Sequence, residues 1–231
     1  MRIAILSDVH GNAAALDAVL AGVRERGPFD RILNGGDLVF GGPRPREAVE
    51  RLIEAGYPTV IGNTDEMVAA SPESTAGAVA AWARTRLTPE QVGWLRALPR
   101  SQRVESHGGP PLVLVHATPW STTDMIDSAS PAATVARAFE HADTRALVYG
   151  HIHRAYVRQV ADGLIVNAGS VGFPFDGDPR PAWAILTLAH GTWHAEIVRT
   201  QYDREAAAHD LLTSDHPDRE TFARRIRTGH M

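Results

Sequence analysis

Seven residues of this chain have the types and the order needed to hold metal ions: Asp8, His10, Asp37, Asn63, His116, His151 and His153. They fall in five short segments, Asp8-Val9-His10-Gly11-Asn12, Gly36-Asp37, Gly62-Asn63-Thr64-Asp65, an isolated His116, and Gly150-His151-Ile152-His153. Carboxylate, amide and imidazole ligands without thiolate suit a pair of first-row divalent ions. One carboxylate can be shared between two such ions while the other ligands divide. In outline that is a two-metal hydrolytic site.

Each segment follows a run of aliphatic or β-branched residues, so the elements that must position them can be read from the chain. Residues 2–6 form a strand, and 12–26 carry apolar residues at helical spacing (Leu16, Val19, Leu20, Val23) until Gly27-Pro28. Residues 31–33 give a second strand, 45–55 a helix with proline start and Gly56 stop, and 59–61 a third strand. Such alternation predicts right-handed crossovers and parallel pairing, with ligands collecting beyond the carboxyl ends of the strands. Asp8 and His10, two apart at a strand end, are expected to share a face, and His151 and His153 to repeat that arrangement. The flanking glycines (Gly11, Gly35, Gly36, Gly62, Gly150) allow tight turns and close approach.

Residues 66–98 break the alternation with two Ala-rich helices, read as a helical insertion and candidate lid. Strands then dominate, at about 102–106, 112–116, 145–149, 154–160, 163–167, 182–188 and 193–199, interrupted by one helix at 130–142. Helices at 203–212 and 217–227 end the chain. The organisation expected is one domain over residues 1–200 and a helical tail over 201–231.

Composition narrows the function classes. The net charge of -4 gives no basic excess for nucleic acid, although metals would attract a small phosphorylated ligand. The absence of cysteine excludes disulfides and thiolate metal sites. Met1-Arg2 leads directly into a short strand, and no stretch approaches membrane-spanning length, so the expectation is a cytoplasmic protein with no membrane partner.

Taken in order, Asp-x-His, Gly-Asp, Gly-Asn-x-Asp, a lone His and Gly-His-x-His resemble the calcineurin-like metallophosphoesterase superfamily, most of all its small bacterial and archaeal phosphodiesterase-like members. The resemblance runs from Arg2 to about residue 200 and extends to Asn167-Ala168-Gly169-Ser170-Val171-Gly172 and Asp176-Gly177-Asp178-Pro179-Arg180. It implies an α/β fold, a four-layer α/β/β/α sandwich of two mixed sheets flanked by helices, with the metals at the edge between the sheets. By family pattern Asp8, His10 and His153 hold one ion, Asn63, His116 and His151 the other, and Asp37 bridges them. Asp37, Asn63 and His116 are then the catalytic set. Two divalent ions are implied, manganese first, with iron, nickel, cobalt or zinc as alternatives. A metal-bridging hydroxide would attack a phosphate ester.

One departure bears on substrate choice. Many family members carry His where this chain has Thr64, and a hydroxyl is no efficient general acid. Thr64 can still donate a hydrogen bond to phosphate, so it is a substrate-binding candidate, as is Asn12, which serves equally well as a helix cap. The absence of that His favours phosphodiesters, or esters with good leaving groups, over alkyl monoesters. The expected partner is a small, nucleotide-like phosphate ester. The alternatives are a protein Ser/Thr phosphatase, a dinucleoside polyphosphate hydrolase, or a non-catalytic protein-binding scaffold on the same fold. A scaffold would have no reason to keep all seven ligands. Asp65 is read as orienting a metal ligand or capping a helix. Trp120 is read as packing or pocket lining, and His107, His141, His190, His194, His209, His216 and His230 as surface residues.

Overall fold

The computed structural model describes residues 1–70 and 77–231. Two sheets form its centre. The first contains β1 (Arg2–Leu6), β2 (Arg31–Asn34), β8 (Ala182–Ala189) and β9 (Thr192–Arg199) in the order β2-β1-β8-β9. The second contains β3 (Ser101–Val104), β4 (Leu112–Val115), β5 (Ala146–Tyr149), β6 (Tyr156–Val160) and β7 (Gly163–Asn167) in the order β3-β4-β5-β7-β6. Both are mixed: β1 runs parallel to β2 and antiparallel to β8, and β4, β5 and β7 run parallel between antiparallel edges.

The side-chain alternation of β1 shows how the layers stack. Ile3 and Ile5 point into a core shared with Leu112, Leu114, Val148 and Val166 of the other sheet, whereas Ala4 and Leu6 join Leu16, Val19, Val49 and Leu52 beneath the helices. Strand β4 divides in the same way, with Leu112 and Leu114 facing the first sheet and Val113 and Val115 facing Val135 and Phe139 of a helix. Strands buried on both faces read as unbroken apolar runs, as β4 (LVLV) and β7 (GLIVN) do. The result is an α/β/β/α sandwich of two mixed sheets.

Local chemistry sets the helix ends. Helix α1 (Ala13–Arg26) starts where the Asn12 side chain accepts from the Ala15 N–H. Helix α2 (Pro45–Ala55) opens on proline and closes on Gly56 in the left-handed conformation. The segment following α2 contributes a single bridge, Thr59 to Asn34, instead of a full strand. Its tie to the sheet is short because the Ile61 N–H already turns away to Pro99 O.

Three helices follow where two were expected: α3 (Asn63–Ala69), α4 (Gly77–Arg86) and α5 (Pro89–Ala97). The first begins at Asn63 itself, so a ligand candidate supplies its first residue. Residues 71–76 of the segment read as a lid lie outside the described residues. Its described parts pack Trp82, Leu87, Val92 and Leu95 into the α1–α2 side of the core. A single helix, α6 (Ala132–Ala142), covers the outer face of the second sheet.

Helices α7 (Arg204–Thr213) and α8 (Arg219–Thr228) build a fourth apolar cluster from Ala207, Leu211, Phe222 and Ile226 around Phe173. Asp215, between them, accepts from Trp82 and pairs with Arg86, tying the tail to α4. His216 is a correction to the surface reading: it is buried, wedged between the rings of Trp82 (4.6 Å) and Phe222 (5.1 Å). Nothing in its polar sequence neighbours announces those contacts. Among the described residues no helix is long and apolar enough to cross a membrane.

Candidate metal centre

All seven ligand candidates lie at the carboxyl ends of parallel strands or of the Thr59 bridge. Asp8 and His10 follow β1, and Asp37 follows β2. Asn63 follows the bridge, His116 follows β4, and His151 and His153 follow β5. Strands β1 and β2 belong to one sheet and β4 and β5 to the other, so the loops meet at the edge between the two.

The loops are held to one another by main-chain bonds. Asp8 N–H donates to Gly36 O (2.9 Å), His10 N–H to Asp37 O (2.8 Å) and Gly150 N–H to His116 O (3.0 Å). Such proximity leaves no room for side chains at the crossing points. A Cβ on Gly62 would overlap Asp37 Oδ1 and N, and one on Gly150 would overlap Ser7 Oγ and Asp8 Oδ2.

The reason given for pairing Asp8 with His10 needs correction. Both lie beyond β1, as His151 and His153 lie beyond β5, so strand alternation does not aim them. Left-handed backbone does. Asp8 (φ 55°), His10 (51°), Asp37 (56°), His151 (64°) and His153 (54°) all sit at positive φ. For residues bearing a Cβ this costs about 1–2 kcal/mol each. Unfavourable conformers gathered at one place are characteristic of functional sites.

The side chains converge. Single ligand atoms of Asp8, His10, Asp37 and His153 lie within 4.8 Å of one another, and all four residues are buried. His10 Nε2 and His153 Nε2 face each other at 3.0 Å, and His153 Nε2 is 3.1 Å from Asp8 Oδ1. Asp37 spans the site: Oδ2 is 3.6 Å from His10 Nε2 and Oδ1 is 3.5 Å from His116 Nε2. On that far side His116 Nε2 lies 2.9 Å from Asn63 Oδ1, and the His151 ring is 5.1 Å from that of His116.

Second partners fix the imidazole tautomers. Nδ1 of His10 donates to Phe40 O (2.8 Å), that of His116 to Gly35 O (2.7 Å) and that of His153 to Phe173 O (2.6 Å). In the neutral ring this leaves Nε2 of each bare toward the centre, the state that metal ligation requires. His151 is turned the other way, with Nε2 on Thr123 O (3.1 Å) and Nδ1 left over. Burial and the adjacent His153 hold the His10 pKa down at about 4, so its lone pair is available at neutral pH. At His116 burial opposes protonation, but the Asp37 and Asp8 carboxylates outweigh it and raise the pKa. Burial would raise Asp8 too, yet His153 brings it below the usual carboxylate range.

Asp65 carries out both roles read for it. Oδ2 accepts from the N–H groups of Asp37 (2.8 Å) and Gly62 (3.1 Å), and Oδ1 from Leu38 N–H (2.8 Å). It thereby caps α3 and clamps the Asp37 loop. Burial and the Asp37 charge push its carboxyl up to about 7, against three donors that favour the ionised form. Asp8 and Asp37 are buried carboxylates with no arginine partner among the described residues. Buried charges of that kind are paired or coordinate metals, and the donor set here fits divalent cations.

Other contributors lie outside the five ligand segments. Ser170 Oγ donates to Asp8 O (2.8 Å) and accepts from Phe173 N–H (2.8 Å), bracing both sides of the site. The carbonyls of Gly35, Phe40 and Phe173 that orient the imidazoles are backbone groups, which any residue type supplies.

The two substrate-binding candidates fare differently. Asn12 is fully buried: its Oδ1 caps α1 and its Nδ2 donates to Gly172 O (3.2 Å) and Tyr202 Oη (3.1 Å). No polar atom of that side chain is left for phosphate, and the cap is its role. Asn12→Ala should therefore lower stability by about 3 kcal/mol, combining a lost cap with two unsatisfied buried partners. KM should stay unchanged; a severalfold rise in KM at wild-type stability in chemical denaturation would contradict this. Thr64, by contrast, has a buried Oγ1 with no hydrogen-bond partner, while its N–H donates to Asp37 Oδ1 (2.9 Å).

Comparison with known proteins agrees with this construction. Over 243 aligned residues the chain is 28% identical to an uncharacterized protein of Methanocaldococcus jannaschii, covering 94% of each. The structure superposes on a metallophosphoesterase from Sphaerobacter thermophilus with a TM-score of 0.79 and 29% identity, over 99% of this chain and 100% of that one. A hypothetical protein from Pyrococcus horikoshii gives a TM-score of 0.84 at 19% identity, over 99% and 98% of the two chains. The family model for the calcineurin-like phosphoesterase superfamily domain matches residues 1–191, and with that match the chain belongs to the calcineurin-like phosphoesterases, metal-dependent phosphoester hydrolases.

Proposed function

We propose that the protein is a phosphodiesterase acting on small or nucleotide-like phosphate esters with two divalent cations. Asp8, His10, His153 and Asp37 would hold one cation and Asp37, Asn63, His116 and His151 the other, with manganese the first choice. Bound there, the pair supplies Lewis acidity to the phosphoryl oxygens and lowers the pKa of the attacking water. The chain's own part is placement. Asp37 sets the distance between the two halves, and the Phe40, Gly35 and Phe173 carbonyls hold three imidazoles in the ligating tautomer. Pre-set geometry of this kind avoids reorganisation during the reaction.

The observation that carries the diester preference is Thr64. Its hydroxyl is buried, has no protein partner and carries no acidic proton, so it cannot protonate an alkoxide. Leaving groups must then depart with little help. We expect manganese-loaded protein to hydrolyse bis-p-nitrophenyl phosphate well and alkyl monoesters poorly. Thr64→His, checked for an unchanged thermal midpoint, should raise alkyl monoester turnover at least tenfold and alter the diester rate little, since general acids contribute ~10²–10⁴-fold where the leaving group needs one. A wild-type protein that already prefers alkyl monoesters by a wide margin would overturn the reading.

The scaffold alternative is disfavoured by the buried cluster of carboxylates and bare imidazole nitrogens, which costs stability and has no use in a binding platform.

A further inference from the structure

We propose that Arg225 and Arg154 form an anion clamp beside the metal centre, which binds a second phosphate of the substrate, one that does not react. The inference rests on the phosphoesterase reading and narrows its substrate to esters carrying an additional phosphate.

All 23 cationic side chains of this chain are arginines, and the net charge is -4, so an arginine without a carboxylate partner is informative. Two converge on Phe175. The Arg225 guanidinium lies 5.8 Å from the Phe175 ring centroid and 4.6 Å from that of Phe222. Arg154 Nε donates to Phe175 O (3.3 Å). The Phe175 ring is itself stacked on His153, 4.6 Å away and 13° from parallel, so the Arg225 guanidinium sits one aromatic ring from a ligand candidate, while Arg154, next to His153 in sequence, is tied to the Phe175 main chain.

Neither makes an ion pair among the described residues. Arg225 Nε is buried without any hydrogen-bond partner, and burial lowers the pKa of the group, with Asp218 acting on it only from a distance. Arg154 influences Asp127 weakly and is otherwise exposed. The nearby Asp176 does not neutralise them, being occupied by Arg199 and the Ala155 N–H. Guanidinium presents a planar fork of donors matched to phosphate oxygens, and a desolvated, unpaired one on an aromatic face is held ready for an anion. The basic residues of α8 suit either a solvated face or contact with phosphate; Arg219, Arg224 and Arg227 are exposed, whereas Arg225 is half-buried.

The test compares thymidine 3′,5′-bisphosphate with thymidine 5′-monophosphate, titrated calorimetrically into the manganese-loaded full-length protein. Wild type should bind the bisphosphate at least tenfold more tightly. Arg225→Gln should bring that ratio close to one with little change in monophosphate affinity, and the exposed Arg154→Ala should reduce it severalfold. Arg225→Lys should recover part of it. A wild-type ratio of one, or a ratio unaffected in both Arg225→Gln and Arg154→Ala, overturns the clamp. So does an equal loss for both ligands with a lowered thermal midpoint, the signature of an arginine that only holds α8 in place. Because the readout is binding, absence of diester hydrolysis would sink the reaction class without touching this result.

Discussion

Changing Asp37 to Asn should reduce turnover of bis-p-nitrophenyl phosphate by about 10³-fold or more. The carboxylate is the group that faces both halves of the centre, Oδ2 toward His10 and Oδ1 toward His116. Asparagine keeps the shape but offers a single oxygen. Its amide nitrogen would point hydrogens at a bare imidazole Nε2, filling the place of a cation with a hydrogen bond. One cation is lost or displaced, and with it several kcal/mol of transition-state stabilisation, each ~1.4 kcal/mol being tenfold in rate. Metal content measured by mass spectrometry should fall from two ions per chain towards one. Full activity in the variant would overturn the ligand assignment, whereas lost activity with both ions retained would assign Asp37 to the chemistry alone.

The second large effect concerns stability. Chelation should lower the thermal midpoint by ~10–20 °C relative to protein saturated with manganese. Each ion that binds only the native state at a hundredfold excess over its Kd contributes about 2.7 kcal/mol. For a chain of this length, 1 kcal/mol moves the midpoint by ~2–4 °C. The direction follows from Asp8 and Asp37, buried carboxyl groups with imidazoles and N–H donors but no arginine around them among the described residues. Calorimetry in chelator and in manganese reads the shift directly. In Asp8→Asn it should shrink, since that variant loses a ligand and also removes one of the charges that needs compensation. A midpoint indifferent to metal would remove the cations from the centre altogether.

How far the sequence disclosed this site can be judged residue by residue. Strand ends were legible because β1, β4 and β5 are buried apolar runs that stop just before the polar ligands begin. The parallel pairing of β1 with β2 followed from strand–helix alternation, the sandwich of two mixed sheets came with the family resemblance, and the antiparallel return of β8 to β1 was not legible in the sequence. What composition could not disclose was the backbone. Nothing about the letters Asp8, His10 or His153 indicates a left-handed conformation, a choice imposed by loops crossing at van der Waals distance. The orienting carbonyls were invisible for the same reason. Asn12 looked as suitable for phosphate as for a cap because the discriminating partners, Gly172 O and Tyr202 Oη, are 160 and 190 residues away in sequence. His216 was misread because it lies between α7 and α8, where its polar neighbours in sequence do not show that Trp82 and Phe222 close over it.

The pairing of β1 with β8 has a kinetic consequence. Ile3 meets Leu186 and Ile5 meets Ala184, so the first strand of the chain waits for almost the last one. Loop-closure entropy makes such distant pairings late events in folding. The Asp8 loop is locked only when Val171 and Gly172 donate to Ser7 O and Asp8 O, on the stretch leading into β8. A half-formed chain that has made β1, β2 and their helices thus carries Asp8, His10 and Asp37 but lacks the geometry to retain an ion. Completion of the centre therefore follows completion of the topology.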